Sequence, residues 1–126
     1  MAVANPYNQY QEQSINTATP GMLIIMLFES AAKHINAGIR AVEEGNIQDS
    51  HNAIIKAQDI YSALSGCLDE SVPMSKDLKD MYEYILKRLC EANIKKDAEI
   101  LREVHAYTVE YRDTWKEAEK SIHLKK

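Results

Sequence analysis

The side chains able to ligate a metal or act as nucleophiles are few and scattered, with four histidines and two cysteines in 126 residues. A carboxylate-bridged metal pair in a helical bundle uses Glu-x-x-His on two helices, which sets both ligands on one face a turn apart. The residues three before His34, His51, His105 and His123 are Ala31, Gln48, Arg102 and Lys120, so that motif does not occur. No His-x-x-x-His or His-x-x-x-Glu pair offers another helical spacing, and no glycine-rich loop is built to cradle a phosphate. His34 lies beside an apolar stripe and reads as a packed histidine. Cys67 and Cys90 form no Cys-x-x-Cys pair, sit in apolar helical patterns, and are expected to be buried thiols of a reducing compartment. The chemistry predicted is therefore negative: no catalytic residues, no metal, no cofactor, and no enzyme.

Charge and hydropathy narrow the partners. The net charge is −4 and the sequence pI about 5.5. Lysines and arginines are dispersed, which argues against a nucleic-acid partner, whose phosphates reward clustered cations. The longest apolar run, Met22 to Phe28, is far short of the ~20 residues a span needs, so no membrane insertion is predicted. Nothing at the start of the chain resembles a secretory leader, and a cytosolic location is expected.

Apolar width and tyrosine are what the chain has in excess. Seven tyrosines accompany one tryptophan and one phenylalanine. Tyrosine buries area yet keeps a polar handle, a composition that suits a binding surface better than a wholly dry core.

The elements that must carry these residues are helices, and the expected fold is all-α, an antiparallel up-down four-helix bundle with an N-terminal extended tail. Residues 1–16 are polar with no helical stripe and read as a flexible or loosely docked tail. Residues 17–126 form the bundle. Thr19 caps the first helix and Pro20 takes its first position. The helix is expected over 20–44, with Gly45 as a left-handed stop. Its seven-residue apolar run calls for cover on more than one side, and Gly38 marks close approach of another helix. A second helix over 47–69, capped by Asn46 or Asp49, carries Ile54, Ala57, Tyr61, Leu64 and Leu68, and Val72-Pro73 stops it. A third over 76–93 opens on Ser75 as cap with Met74 as staple, and carries Leu78, Ile85, Leu89 and Ala92. A fourth over 98–122, behind an acidic cap at Asp97, carries Leu101, Val104, Thr108, Tyr111 and Trp115.

The second and third helices are wider in apolar residues than one neighbour requires. Ile54, Ile60, Tyr61, Leu64, Tyr82, Leu86 and Leu89 divide between core packing and a groove for an apolar helix or peptide. Spacing alone leaves open which of them face inward.

Several short stretches, in order, resemble a known family. Tyr10, Asn16-Thr17-Ala18-Thr19-Pro20, Leu23 and Met26-Leu27-Phe28 form its opening signature. Lys56-Ala57-Gln58-Asp59-Ile60 with Leu64 and Leu68 is similar to its second helix. Leu78, Met81-Tyr82-Glu83-Tyr84-Ile85, Arg88-Leu89 and Glu91-Ala92-Asn93 match its third, and Val104, Arg112-Asp113 and Trp115 its fourth. On these residues the chain resembles the bacterial flagellar export chaperone FliS family. The family usually has aspartate where Glu83 stands, and a better helix former where Gly21 stands.

The resemblance implies a cytosolic chaperone that binds the disordered C-terminal region of flagellin. It would prevent premature polymerisation and help deliver its cargo to the flagellar type III export gate. It assigns the apolar groove of Ile54, Ile60, Tyr61, Leu64, Tyr82, Leu86 and Leu89 to flagellin. Tyr7 and Tyr10 are expected to dock on the bundle and, once freed by cargo, to meet the gate. The alternatives are a metal-binding or enzymatic bundle and a self-associating helical adaptor; whether the free protein forms a homodimer stays open.

Overall fold

The computed structural model describes residues 19–124. Four helices follow one another: α1, Pro20–Glu43; α2, Ile47–Gly66; α3, Met74–Lys95; and α4, Ala98–Leu124, with no strand among the described residues. The expected tail, with Tyr7 and Tyr10, lies outside them. Neighbours pack in a ring, α1 on α2, α2 on α3, α3 on α4, and α4 back on α1, as an up-down bundle does. The α1–α2 and α1–α4 interfaces are the largest and α3–α4 is the thinnest.

Caps set the ends. The Thr19 hydroxyl accepts from the Met22 amide at 3.2 Å, satisfying one donor of the first turn of α1. Gly45 sits at φ +73°, the left-handed position expected after α1, and the Asn46 amide reaches back to the Ala41 carbonyl at 2.8 Å. Asn46, rather than Asp49, caps α2, its Oδ1 accepting from the Asp49 amide at 3.0 Å. The α2 helix stops at Gly66, three residues before the expected end at 69. Glycine is a poor helix former, and the Asp69 carboxylate turns the chain by accepting from the Ser71 amide at 3.0 Å.

The start of α3 also differs from expectation. Pro73 has helical dihedrals and leads directly into the helix, while Ser75 donates its hydroxyl across the turn to the Asp69 carbonyl instead of capping. Met74 stays largely exposed at the edge of an apolar pocket that Leu78 also lines. The helix runs to Lys95 and closes on Lys96 in the left-handed region. Asp97 is the acidic cap of α4, its Oδ1 accepting from the Glu99 amide at 2.9 Å.

The core gathers inward stripes from all four helices, among them Phe28, Ile35, Ile54, Tyr61, Tyr82, Ile85, Leu89, Leu101 and Val104. At Gly38 a Cβ would lie 3.4 Å from Ile54 and 3.5 Å from Leu101, so α2 and α4 both close on this point of α1. The apolar run of α1 is covered less than expected. Ile25 and Phe28 are buried, but Met22 and Met26 remain exposed. By length and composition α1 is long and apolar enough to cross a membrane; here its Phe28, Ala31, Ile35 and Ile39 side is the bundle core.

Gly21 has a packing reason. A side chain there would collide with the Glu119 carboxylate of α4, which also accepts from the Thr19 hydroxyl at 3.4 Å. The first turn of α1 has no acidic residue of its own, and Glu119 supplies a negative charge to that positive helix end from across the bundle. In a Glu119→Ala background, Gly21→Ala should stabilise the protein by up to about 1 kcal/mol through helix propensity. With Glu119 present that gain should shrink, because the carboxylate must swing away. A double-mutant cycle by urea denaturation checks the coupling, and additive effects would refute the contact.

Candidate functional site

Five of the seven residues expected to line a groove belong to the core. Ile54, Tyr61 and Leu89 are 0% exposed, and Leu64 and Tyr82 2%. The reason is geometric. Each of α2 and α3 has two neighbours, so its buried arc spans both seams, and an apolar width that looks like surplus on one helix is used by the second neighbour. Tyr61 and Tyr82 pack at 5.9 Å between ring centroids, each about 6 Å from Phe28.

Ile60 and Leu86 are half-buried at the rim. Ile60 follows Lys56 by one turn, and Lys56 lies close enough to α1 to act on His34, so Ile60 belongs to the α1 side. Leu86 belongs to the α2–α3 seam. There the register is set by His51 and Asn93, whose Nδ1 and Nδ2 are 3.0 Å apart, and by the bond from Ser75 to Asp69. Leu86 precedes Asn93 by seven residues and shares its side of α3. Exposed Ile47 and Ile55, each one turn from His51, stand on the α2 side. Toward the α2–α3 turn the seam opens into a cavity of about 730 Å³ lined by Ser62, Ser65, Leu68, Val72, Pro73 and Lys79. In the sequence Ile47 and Ile55 widen the second helix beyond what one neighbour needs, but spacing alone does not put them in the groove set.

A second, more apolar pocket of about 220 Å³ lies at the end of the bundle where the chain enters α1. Ile24, Leu68, Val72, Leu78, Tyr82 and Trp115 line it.

The ligating side chains do not converge. No group of three or more His, Cys, Asp or Glu is placed to hold a metal among the described residues. His34 is half-buried, and burial first, then Lys56 and Lys33, hold its imidazole below the ordinary histidine range. Both cysteines are exposed, contrary to the expectation of buried thiols. Cys67 follows the end of α2, and Cys90 falls outside the inward 85–89–92 stripe of α3.

The family model described as "Flagellar protein FliS" matches residues 3–122. The chain belongs to the FliS family. It is 41% identical over 118 residues to the flagellar secretion chaperone FliS of Bacillus subtilis, covering 94% of this chain and 89% of that protein. It is 32% identical over 113 residues to the flagellar secretion chaperone FliSB of Pseudomonas aeruginosa, covering 85% and 90%. With the FliS of Salmonella typhimurium it shares 28% over 109 residues, covering 84% and 81%. Membership in a family of flagellar secretion chaperones is a non-enzymatic role, in keeping with the dispersed histidines and cysteines.

Two outcomes follow from these positions. Ile54→Asp should cost several kcal/mol, since it buries an unpaired carboxylate, whereas Leu86→Asp should cost about 1 kcal/mol or less; chemical denaturation of both variants checks this. The second concerns pH. Burial first, then Tyr111 and Cys67, raises the Tyr82 phenol to about 12, and burial raises Tyr61 in the same direction. The unfolded chain ionises nearer the ordinary tyrosine value of about 10. Stability from the neutral phenols is complete below that value and is lost as pH climbs toward about 12. The denaturation midpoint should be flat from about pH 7 to 9 and fall above about 10, with a shallower fall in Tyr82→Phe.

Proposed function

We propose that this FliS-family protein holds the disordered C-terminal region of flagellin along the α2–α3 seam, prevents its premature polymerisation, and helps deliver it to the flagellar export gate. The observation that carries this reading is the set of exposed Ile47 and Ile55 and half-buried Leu86 along a seam that opens farther on into the 730 Å³ cavity, on a member of a flagellar secretion chaperone family. An amphipathic segment laid there would remove from solvent the face it otherwise uses to assemble with other subunits. Ile54, Tyr61, Leu64, Tyr82 and Leu89 act behind this surface by holding the helices at their spacing, and Ile60 extends apolar surface toward α1. Ordering a disordered segment costs part of the gross interaction energy, which keeps the complex releasable.

The N-terminal tail has a place in the same proposal. The chain enters α1 at the end of the bundle that carries the pocket of Ile24, Leu78, Tyr82 and Trp115. A tyrosine moved from water into such a pocket gains about 1.5–3 kcal/mol. Tyr7 and Tyr10 dock there reversibly in the cargo-free protein. Bound flagellin releases them to the gate.

Titration with a flagellin C-terminal peptide tests the reading. Binding should weaken about tenfold or more in Leu86→Asp and Ile55→Asp while their denaturation midpoints stay near the parent value. Deleting residues 1–14 should leave peptide affinity equal or higher and lower the affinity of the loaded complex for the gate. Failure of the peptide to bind the intact chain refutes the function; binding that ignores both seam substitutions refutes the seam. Weaker peptide binding with unchanged gate binding in the truncation refutes the tail.

A further inference from the structure

Two exposed tyrosines, Tyr84 and Tyr107, gather with half-buried Tyr111 on the opposite side of α3. Tyr84 and Tyr107 are 46% and 38% exposed. Their rings meet edge to face at 6.4 Å between centroids, and Tyr107 stacks on Tyr111 at 6.2 Å with 15° between the planes. Tyr111 in turn lies 5.9 Å from buried Phe28. The exposed rings are thus braced from the core. The Tyr84 hydroxyl donates to Glu103 at 3.3 Å, and Glu103 is held by Arg88 at 2.8 Å.

We propose that this α3–α4 seam is a second docking surface, for a basic segment of a protein partner that presents arginine or lysine. The aromatic faces and the charge around them select that chemistry. A guanidinium or ammonium is attracted to the face of a tyrosine ring, most strongly when flanking carboxylates share the charge. Asp77 and Asp80 precede Tyr84 by seven and four residues on its side of α3, and Glu110 follows Tyr107 by one turn. None of these three forms an ion pair among the described residues, whereas Glu91 and Glu103 are both matched to Arg88. Arg88 is committed to those two glutamates, Lys87 stands toward the other end of α3 from Asp77 and Asp80, and Lys76 and Lys79 flank these aspartates in sequence without pairing with them.

Other occupants fit worse. An apolar helix laid on this seam would desolvate Asp77, Asp80 and Glu110 without a partner, a cost that cations remove. An acidic segment would meet like charge. Tyrosine spends little conformational entropy on binding, and braced rings spend less, so the surface is formed before the partner arrives. The seam shares α3 with the proposed flagellin surface but lies on its α4 side, so both can be occupied at once.

The test uses the full chain and two synthetic peptides, one alternating arginine with serine and the other with each arginine replaced by glutamine. Backbone amide shifts are followed at physiological ionic strength. The arginine peptide should shift amides of residues 77–84 and 103–114, leave those of Ile47 and Ile55 at the other seam unmoved, and weaken as salt rises. The glutamine peptide should shift neither. Tyr84→Ala combined with Tyr107→Ala should lower affinity about tenfold, and Asp80→Asn with Glu110→Gln about threefold with a shallower salt dependence. Equal binding of the glutamine peptide, or arginine-peptide shifts centred elsewhere, overturns the proposal. So do shifts at this seam that grow with protein concentration alone, since they assign it to a second copy. Mapping on the unsubstituted chain decides the matter even if a tyrosine variant fails to fold.

Discussion

The bundle is organised around one buried polar contact inside an aromatic cluster. The Tyr61 hydroxyl lies 2.5 Å from Thr108 Oγ1, and that hydroxyl donates to the Val104 carbonyl at 2.8 Å. With its only proton committed to Val104, Thr108 accepts from Tyr61, which fixes the direction of the chain of bonds. An unmatched hydroxyl at this depth would cost roughly 1–3 kcal/mol, so α2 and α4 can face one another in few registers. Around this point Phe28, Tyr61 and Tyr82 interlock at centroid distances near 6 Å, drawing α1, α2 and α3 to the same level. The small-residue contact at Gly38 brings α2 and α4 against α1 about three turns away.

From that centre the packing is unequal. The α1 helix is sealed to α2 and α4 by apolar surface, and Arg102 adds an ion pair to Glu43 at 2.8 Å. Exposed pairs of this kind are worth under about 1 kcal/mol, so the burial decides the arrangement. The α3 helix is held differently. On the α4 side it relies on Arg88 bridging Glu91 and Glu103 and on the edge-to-face contact of Tyr84 with Tyr107, and on the α2 side its seam widens into the 730 Å³ cavity. The helix with the thinnest contacts to its neighbours, α3, is therefore the one flanked by both proposed surfaces.

The helices and most of their caps were legible in the residues themselves. Thr19 before Pro20, Gly45 after α1, Asn46 before α2 and Asp97 before α4 each act within a turn of their own position, so no tertiary knowledge was needed. The stretch from Gly66 to Ser75 was misread for the same local reason. A proline and a serine look like stop and cap, but the turn is closed instead by Asp69, whose side chain meets Ser71 and whose carbonyl meets Ser75. The exposed cysteines were misread because an apolar neighbourhood in sequence is not one in space.

Family and general role were also readable, since the short motifs keep their order and spacing along nearly the whole chain, and the match over residues 3–122 agrees with them. By itself the sequence determined four amphipathic helices, their caps, the absence of ligand spacing, and that more apolar surface exists than one face per helix can use. Only the tertiary structure decided how that surface is divided. Periodicity defines an arc around a helix axis, but the rotation of that arc relative to two neighbours depends on the buried bond between Tyr61 and Thr108 and on the depth of α1 at Gly38. Those contacts turn Tyr61, Leu64, Tyr82 and Leu89 inward and leave Ile55, Leu86, Tyr84 and Tyr107 at the seams.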